Sequence, residues 1–175
     1  VLGLVAVNPN SKIFARMLDP KIDTVIDQDW FEAKLTKAHD HRSLVFDEPF
    51  YRLIHAEADD LPGVIIDRFG DVAVIQPNAA WADTLIEPLV DALVKVTGVK
   101  TVIKNASGRA RILEGLNEET TVMRGVAPTA PIQVPMNGAI YLADLMGGQK
   151  TGLFFDQRPN HAFAQRMAKG ARVLD

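Results

Sequence analysis

Cysteine is absent from all 175 residues. That absence excludes disulfide bridges, cysteine-ligated zinc or iron–sulfur sites, and a thiol nucleophile supplied by this chain. Long apolar runs are missing too. The opening residues Val1 to Val7 are apolar but far too few to span a bilayer, and no basic segment or cleavage pattern accompanies them, so they read as a strand. Nor is there an excess of positive charge: the formal net charge is -3. Gripping a polyanion over a whole surface takes clustered Lys and Arg, so any nucleic-acid contact must be local. No internal repeat or low-complexity tract occurs. These absences fit a cytoplasmic protein without membrane or metal and leave its oligomeric state open, a homodimer included.

What is present is enough to build a core, since 47% of the residues are hydrophobic. Two short strands, 2–7 and 13–18, flank the turn Asn8-Pro9-Asn10-Ser11. After the boundary Asp19-Pro20, a helix is expected over about 29–46, capped by Asp27 or Asp29, with Phe31, Leu35, Ala38, Leu44 and Val45 as its apolar stripe. His39 and His41 suggest a metal pair. Residues two apart on a helix face different ways, however, and a solvated pair is the expectation. A strand over 51–55, an acidic solvated loop over 57–63, and a hairpin of 64–68 with 72–76 turned at Phe69-Gly70-Asp71 follow. An amphipathic helix is predicted from Trp81 to Val96, ended by Thr97-Gly98, with Trp81 in the core. Beyond the strand 101–104, a short turn or helix over 108–116 carries Arg109 and Arg111. These arginines either hold phosphate oxygens or pair with Glu114 and Glu118. Strands are expected over 120–124, 132–134 and 139–143, the last two joined by a hairpin turn at Asn137-Gly138.

The block Gly147-Gly148-Gln149-Lys150-Thr151-Gly152-Leu153-Phe154-Phe155-Asp156-Gln157-Arg158-Pro159 concentrates the chemistry. It reads as a glycine-rich turn, a short apolar strand that delivers polar side chains, and a helix opened by Pro159. Polar groups at the positive end of a helix dipole are placed to meet an anion, although a plain capped turn has the same pattern. A nucleotide-triphosphate loop fails on spacing, because Gln149 stands where glycine is required before the lysine. The helix runs over 160–168 and stops at Lys169-Gly170. Arg172-Val173-Leu174-Asp175 then reads as a buried strand, the way the first unit of a nucleotide-type α/β domain enters.

The blocks Tyr51 to Gly70 (YRLIHAEADDLPGVIIDRFG), Arg111 to Leu116 (RILEGL) and Lys150 to Arg158 (KTGLFFDQR), followed by Val173-Leu174-Asp175, resemble the S-adenosylmethionine-dependent ribosomal RNA large-subunit cytosine-5 methyltransferases. The resemblance runs from about Asn8 to the last residue. It implies an α+β fold of β-hairpins and mixed sheet packed with two main helices, ending at the first strand of a missing Rossmann-like domain. On that map residues 1–19 are the tail of a PUA-type RNA-binding domain, 20–170 the central domain, and 171–175 the opening of the methyltransferase domain, so the chain is expected to be a fragment, inactive alone. The implied chemistry is thiolate attack on carbon 6 of a cytosine in ribosomal RNA, methyl transfer to carbon 5 and base-assisted proton loss on a flipped or single-stranded base. None of its catalytic residues lies in this chain. The resemblance places Lys150, Thr151, Asp156, Gln157, Arg158 and Asp175 near the cofactor. Arg109, Arg111, Lys150 and Arg158 are the candidates for RNA contact. Asn105 and Ser107 depart from the arginine and aspartate of the family pattern. The alternative is a non-enzymatic module that binds RNA or a protein through Arg109, Arg111 and Lys150.

Overall fold

In a computed structural model the structure describes residues 2–147 and 151–174. It is a mixed α+β architecture around a central sheet of five strands. An antiparallel hairpin comes first, β1 (Leu4–Val7) with β2 (Ala15–Asp19), as expected. Helix α1 (Gln28–Ser43) follows, and its N-cap is Asp27, whose carboxylate accepts from the Trp30 amide at 3.0 Å. The stripe Trp30, Phe31, Leu35 and Ala38 is buried. Leu44 and Val45 are not part of it: the helix closes at Ser43, the Val45 amide folds back onto the Arg42 carbonyl, and Leu44 is 85% exposed.

The sheet contains β3 (Phe50–His55), β4 (Val64–Phe69), β5 (Val72–Pro77), β6 (Thr101–Lys104) and β7 (Thr121–Arg124), in that order. All neighbours are antiparallel except β5 and β6, which are parallel because a helical crossover joins them. That crossover is two helices, not the single one expected: α2 (Ala80–Thr84) and α3 (Ile86–Thr97). Pro88 supplies the reason, since it has no amide hydrogen for the Thr84 carbonyl and its ring would strike that carbonyl in a continuous helix. A short helix α4 (Arg109–Leu113) precedes β7. Strands β8 (Ile132–Met136) and β9 (Ala139–Ala143) form a separate hairpin. Its turn puts Asn137 and Gly138 at φ of 56° and 75°, the positive values that an Asn-Gly pair tolerates.

Strand alternation divides the core in two. On one face Val64, Ile66, Ala73, Ile75 and Val102 meet the helices, where Phe31 of α1 lies nearly parallel to Trp81 of α2 with centroids 6.1 Å apart. Burial of such side chains contributes about 1.5–3 kcal/mol each. On the other face Phe69, Val74 and Ile103 pack against Val134, Met136, Ala143, Leu145 and Phe155. The hairpin β8–β9 and the chemistry-rich block therefore cover the side of the sheet that the helices leave bare.

That block differs from the expected strand. Phe155–Gln157 is a 3-10 turn that runs directly into helix α5 (Arg158–Ala168), with Pro159 in its first turn. Gly152, at φ +106°, turns the chain tightly under Leu145 and Asp144, and among the described residues no neighbouring strand offers ladder partners. The terminal strand does not form either: residues 171–174 are irregular and Leu174 is 99% exposed. An apolar segment without a paired neighbour has no hydrogen-bond reason to become a strand.

Candidate functional site: an arginine-lined cleft

The C-terminal end of α1, the start of β3 and the 3-10 turn before α5 enclose a cleft of about 250 Å³. Phe46, Tyr51 and Phe155 form its apolar walls, and Arg42, Arg52, Arg158, His55 and Asp156 its polar ones. Two of the three guanidiniums are tied. Arg42 donates from both Nη atoms to the Asp59 carboxylate, at 2.7 and 2.6 Å, and from Nε to the Arg52 carbonyl. Arg52 donates from Nε and Nη2 to Asp67, at 2.9 and 3.0 Å. Burial alone would ease its proton off, but the Asp67 bonds and the nearby Asp156 charge win and raise its pKa above the ordinary value.

Arg158 is different. Its guanidinium lies 4.6 Å from the Phe46 ring centroid and 5.6 Å from that of Phe155, and Nη2 donates to the Phe50 carbonyl. Its Nε is buried without a hydrogen-bond partner among the described residues. Burial, with no carboxylate to offset it, lowers its pKa from the ordinary arginine value. A desolvated cation with an unused donor is suited to an anionic group, and the exposed Asp156 beside it to a cationic one. The larger cleft, about 640 Å³ beside β2, is less suited because its charged groups Arg16, Glu57, Lys34 and Asp60 already pair with protein partners.

The predicted residues are thus only partly brought together. Asp156 and Arg158 share the cleft. Gln157 does not line it: its side chain bonds Asp156 and accepts from Asn160, at the start of α5. Thr151 is buried and donates to Asp67 at 2.5 Å, facing the sheet and not the cleft. Arg109 is exposed on α4, away from the cleft lining. Arg111 is 0% exposed; it pairs with Asp83 at 2.9 Å, not with Glu114 or Glu118, and donates to the Pro77 and Asn117 carbonyls. A guanidinium so enclosed cannot reach an RNA phosphate, contrary to the RNA contact expected of Arg111. Lys150 and Asp175 lie outside the described residues.

Other polar expectations are corrected as well. His39 is half-buried, accepting from Arg68 Nη1 at 3.1 Å, and burial followed by that cation holds its pKa below the usual histidine range. The acidic loop is a 3-10 turn over Ala56–Asp59 whose Asp59 clamps Arg42. Sequence reasoning missed Arg42, Phe46 and Arg52. Only Asp67 carried a signal, a carboxylate inside the apolar run Val64–Phe69, which must find a buried partner.

No family model matches the chain. It is 36% identical over 177 residues to ribosomal RNA large subunit methyltransferase I of Pseudoalteromonas translucida, covering 99% of this chain and 45% of that protein. The chain is similar to ribosomal RNA methyltransferases. The protein of the same name from Tolumonas auensis is 35% identical over 174 residues, at 97% of this chain and 44% of its own length. The chain therefore spans about half the length of the curated relatives it matches, at 45% and 44%. Among solved structures, a candidate SAM-dependent methyltransferase from Streptococcus mutans superposes with a TM-score of 0.77 at 20% identity, over 93% of this chain and 42% of that one. A second, a candidate methyltransferase in complex with SAH, also gives 0.77 at 20%, over 92% and 41%. At that identity the two establish the fold. Among the described residues no helix is long and apolar enough to cross a membrane, and no group of three or more His, Asp or Glu could hold a metal ion.

Proposed function

We propose that the chain belongs to an S-adenosylmethionine-dependent methyltransferase that modifies carbon 5 of a cytosine in ribosomal RNA, acting in the cytoplasm. The observation that carries this reading is the joining of Asp156 and Arg158 in one arginine-lined cleft, in a chain similar over nearly its whole length to ribosomal RNA methyltransferases.

S-adenosylmethionine supplies the transferable methyl group when bound. The residues present fit such a molecule or the nucleotide beside it. Arg158 offers a desolvated, unpaired cation to a carboxylate or phosphate, Asp156 an exposed carboxylate to an amine, and Phe46 and Phe155 hold the Arg158 plane from the protein side. The cleft thereby orients what it binds, with Arg158 as the buried contact and Asp156 as the solvent-facing one. With cysteine absent from the sequence, the thiolate of the cytosine mechanism is not drawn from these 175 residues. The domain map of a PUA-type tail over 1–19, a central domain over 20–170 and a methyltransferase domain opening at 171 is part of the same proposal. The deciding experiment is methyl transfer from labelled S-adenosylmethionine to unmodified large-subunit ribosomal RNA by the full-length gene product, followed by mapping of the product base. A 5-methylcytosine supports the reading; no transfer, or label on another base, refutes it.

A further inference from the structure

The cleft has two walls from distant parts of the sequence, Arg52 on β3 and the segment 151–158, and one buried carboxylate touches both. Asp67 is 0% exposed on β4. Strand alternation turns it away from α1 and α3 toward the face covered by the 151–158 segment, whereas its neighbour Arg68 points to the helices and donates to the Thr97 carbonyl at 3.0 Å. There Asp67 takes Arg52 on both oxygens, at 2.9 and 3.0 Å, and the Thr151 hydroxyl on Oδ2 at 2.5 Å. Arg52 is thereby left with Nη1, which makes no hydrogen bond among the described residues, and it lines the cleft beside Asp156. Thr151 in turn pins the tight Gly152 turn, where an added Cβ would come within 2.8 Å of Leu145 and 2.9 Å of the Asp144 carbonyl.

We propose that Asp67 is a positioning residue that sets both walls of the cleft at once, holding the Arg52 guanidinium directly and the 151–158 segment through the Thr151 hydroxyl. A charged, fully buried acceptor suits this task. Three short donor contacts fix its oxygens, and removing any partner leaves a buried charge incompletely satisfied. The inference rests on the cleft being the site of the proposed methyl transfer, but the clamp can be tested without it.

Thr151→Val removes the hydroxyl with little change of volume, and Thr151→Ser keeps it. Amide hydrogen exchange of the chain reports the clamp directly: Thr151→Val raises exchange across 152–157 about tenfold while β4 and β5 keep their protection, and Thr151→Ser stays close to wild type. Unchanged exchange across 152–157 in Thr151→Val overturns the proposal whatever the enzyme does. In the full-length gene product, Thr151→Val raises KM about tenfold for S-adenosylmethionine with kcat within about threefold, and serine restores it. Equal loss with valine and serine, or loss confined to kcat with KM unchanged, also overturns it. Should wild type transfer no methyl group while valine selectively loosens 152–157, the methyltransferase reading falls and the clamp stands. Asp67→Asn is the direct variant; if it fails to fold, the Thr151 pair still decides.

Discussion

The guanidinium carbon of Arg158 lies 4.6 Å from the Phe46 ring centroid, where burial lowers the pKa of the arginine from its ordinary value. The contact spreads across two clefts, since the same two residues also line the smaller one formed with Pro135 and Asn137.

Arg158→Ala is therefore expected to lower methyl transfer by the full-length gene product at least about tenfold, because a desolvated charge-assisted contact is lost. Folding should survive, as no buried carboxylate is orphaned. Gln157→Ala, which loses the side-chain bond accepted from Asn160, should stay within about threefold in activity and cost about 0.5–1 kcal/mol of stability. Methylation rates with thermal melts of both variants check this, and equal activity of Arg158→Ala and wild type removes Arg158 from the site.

Arg111 behaves in the opposite way. Arg111→Ala leaves the carbonyls of Pro77 and Asn117 without their donor and Asp83 with Lys104 alone, at 3.6 Å, and is expected to destabilise the chain by about 3 kcal/mol. Urea denaturation measures it. A variant that stays as stable as wild type but binds RNA less tightly would return Arg111 to the RNA-facing surface.

Glu114 ties the β1–β2 hairpin to the rest of the chain: it accepts from Asn8, Ser11, Arg16 and the Ala80 amide. Burial of the carboxyl acts to raise its pKa, but these four donors outweigh it and hold it down at about 2, against an ordinary 4.5. A depressed carboxylate pKa stabilises the fold fully above the unfolded value and ceases to do so as pH falls toward the folded one. Stability is thus expected to drop between pH 4.5 and about 2. Glu114→Gln should flatten that part of the pH profile and cost about 1–3 kcal/mol at neutral pH, read by chemical denaturation at a series of pH values.

The cleft, at about 250 Å³, falls below the roughly 300–1,000 Å³ of sites that enclose a drug-sized ligand. The 175-residue chain is accordingly expected to bind S-adenosylmethionine weakly or not at all, and micromolar affinity by calorimetry would show that this wall alone makes a site. With a net charge of -3, its affinity for ribosomal RNA should fall only gently with salt, with a logarithmic slope of magnitude below about 3.

Local patterns in the sequence determined most of the secondary structure. Asp27 capped its helix, Asn137-Gly138 turned its hairpin, and the apolar runs 64–68 and 72–76 on either side of Phe69-Gly70-Asp71 paired as strands, because each of these depends on residues close along the chain. The same local reading put a strand at 153–155 and another at 172–175, and neither 153–155 nor the described part of the second, 172–174, is a strand. A strand exists only through a neighbour, and apolar runs do not say whether one is there. Charged residues were legible only as types. Tertiary packing decided that Arg111 is enclosed, that Arg158 is desolvated against Phe46, and that Thr151 meets Asp67 across 84 residues. A guanidinium looks the same in sequence whether it faces solvent, a buried carboxylate or an open cleft. What it does follows from burial and the distance to its partner, and both are settled only when the sheet and its two covers come together.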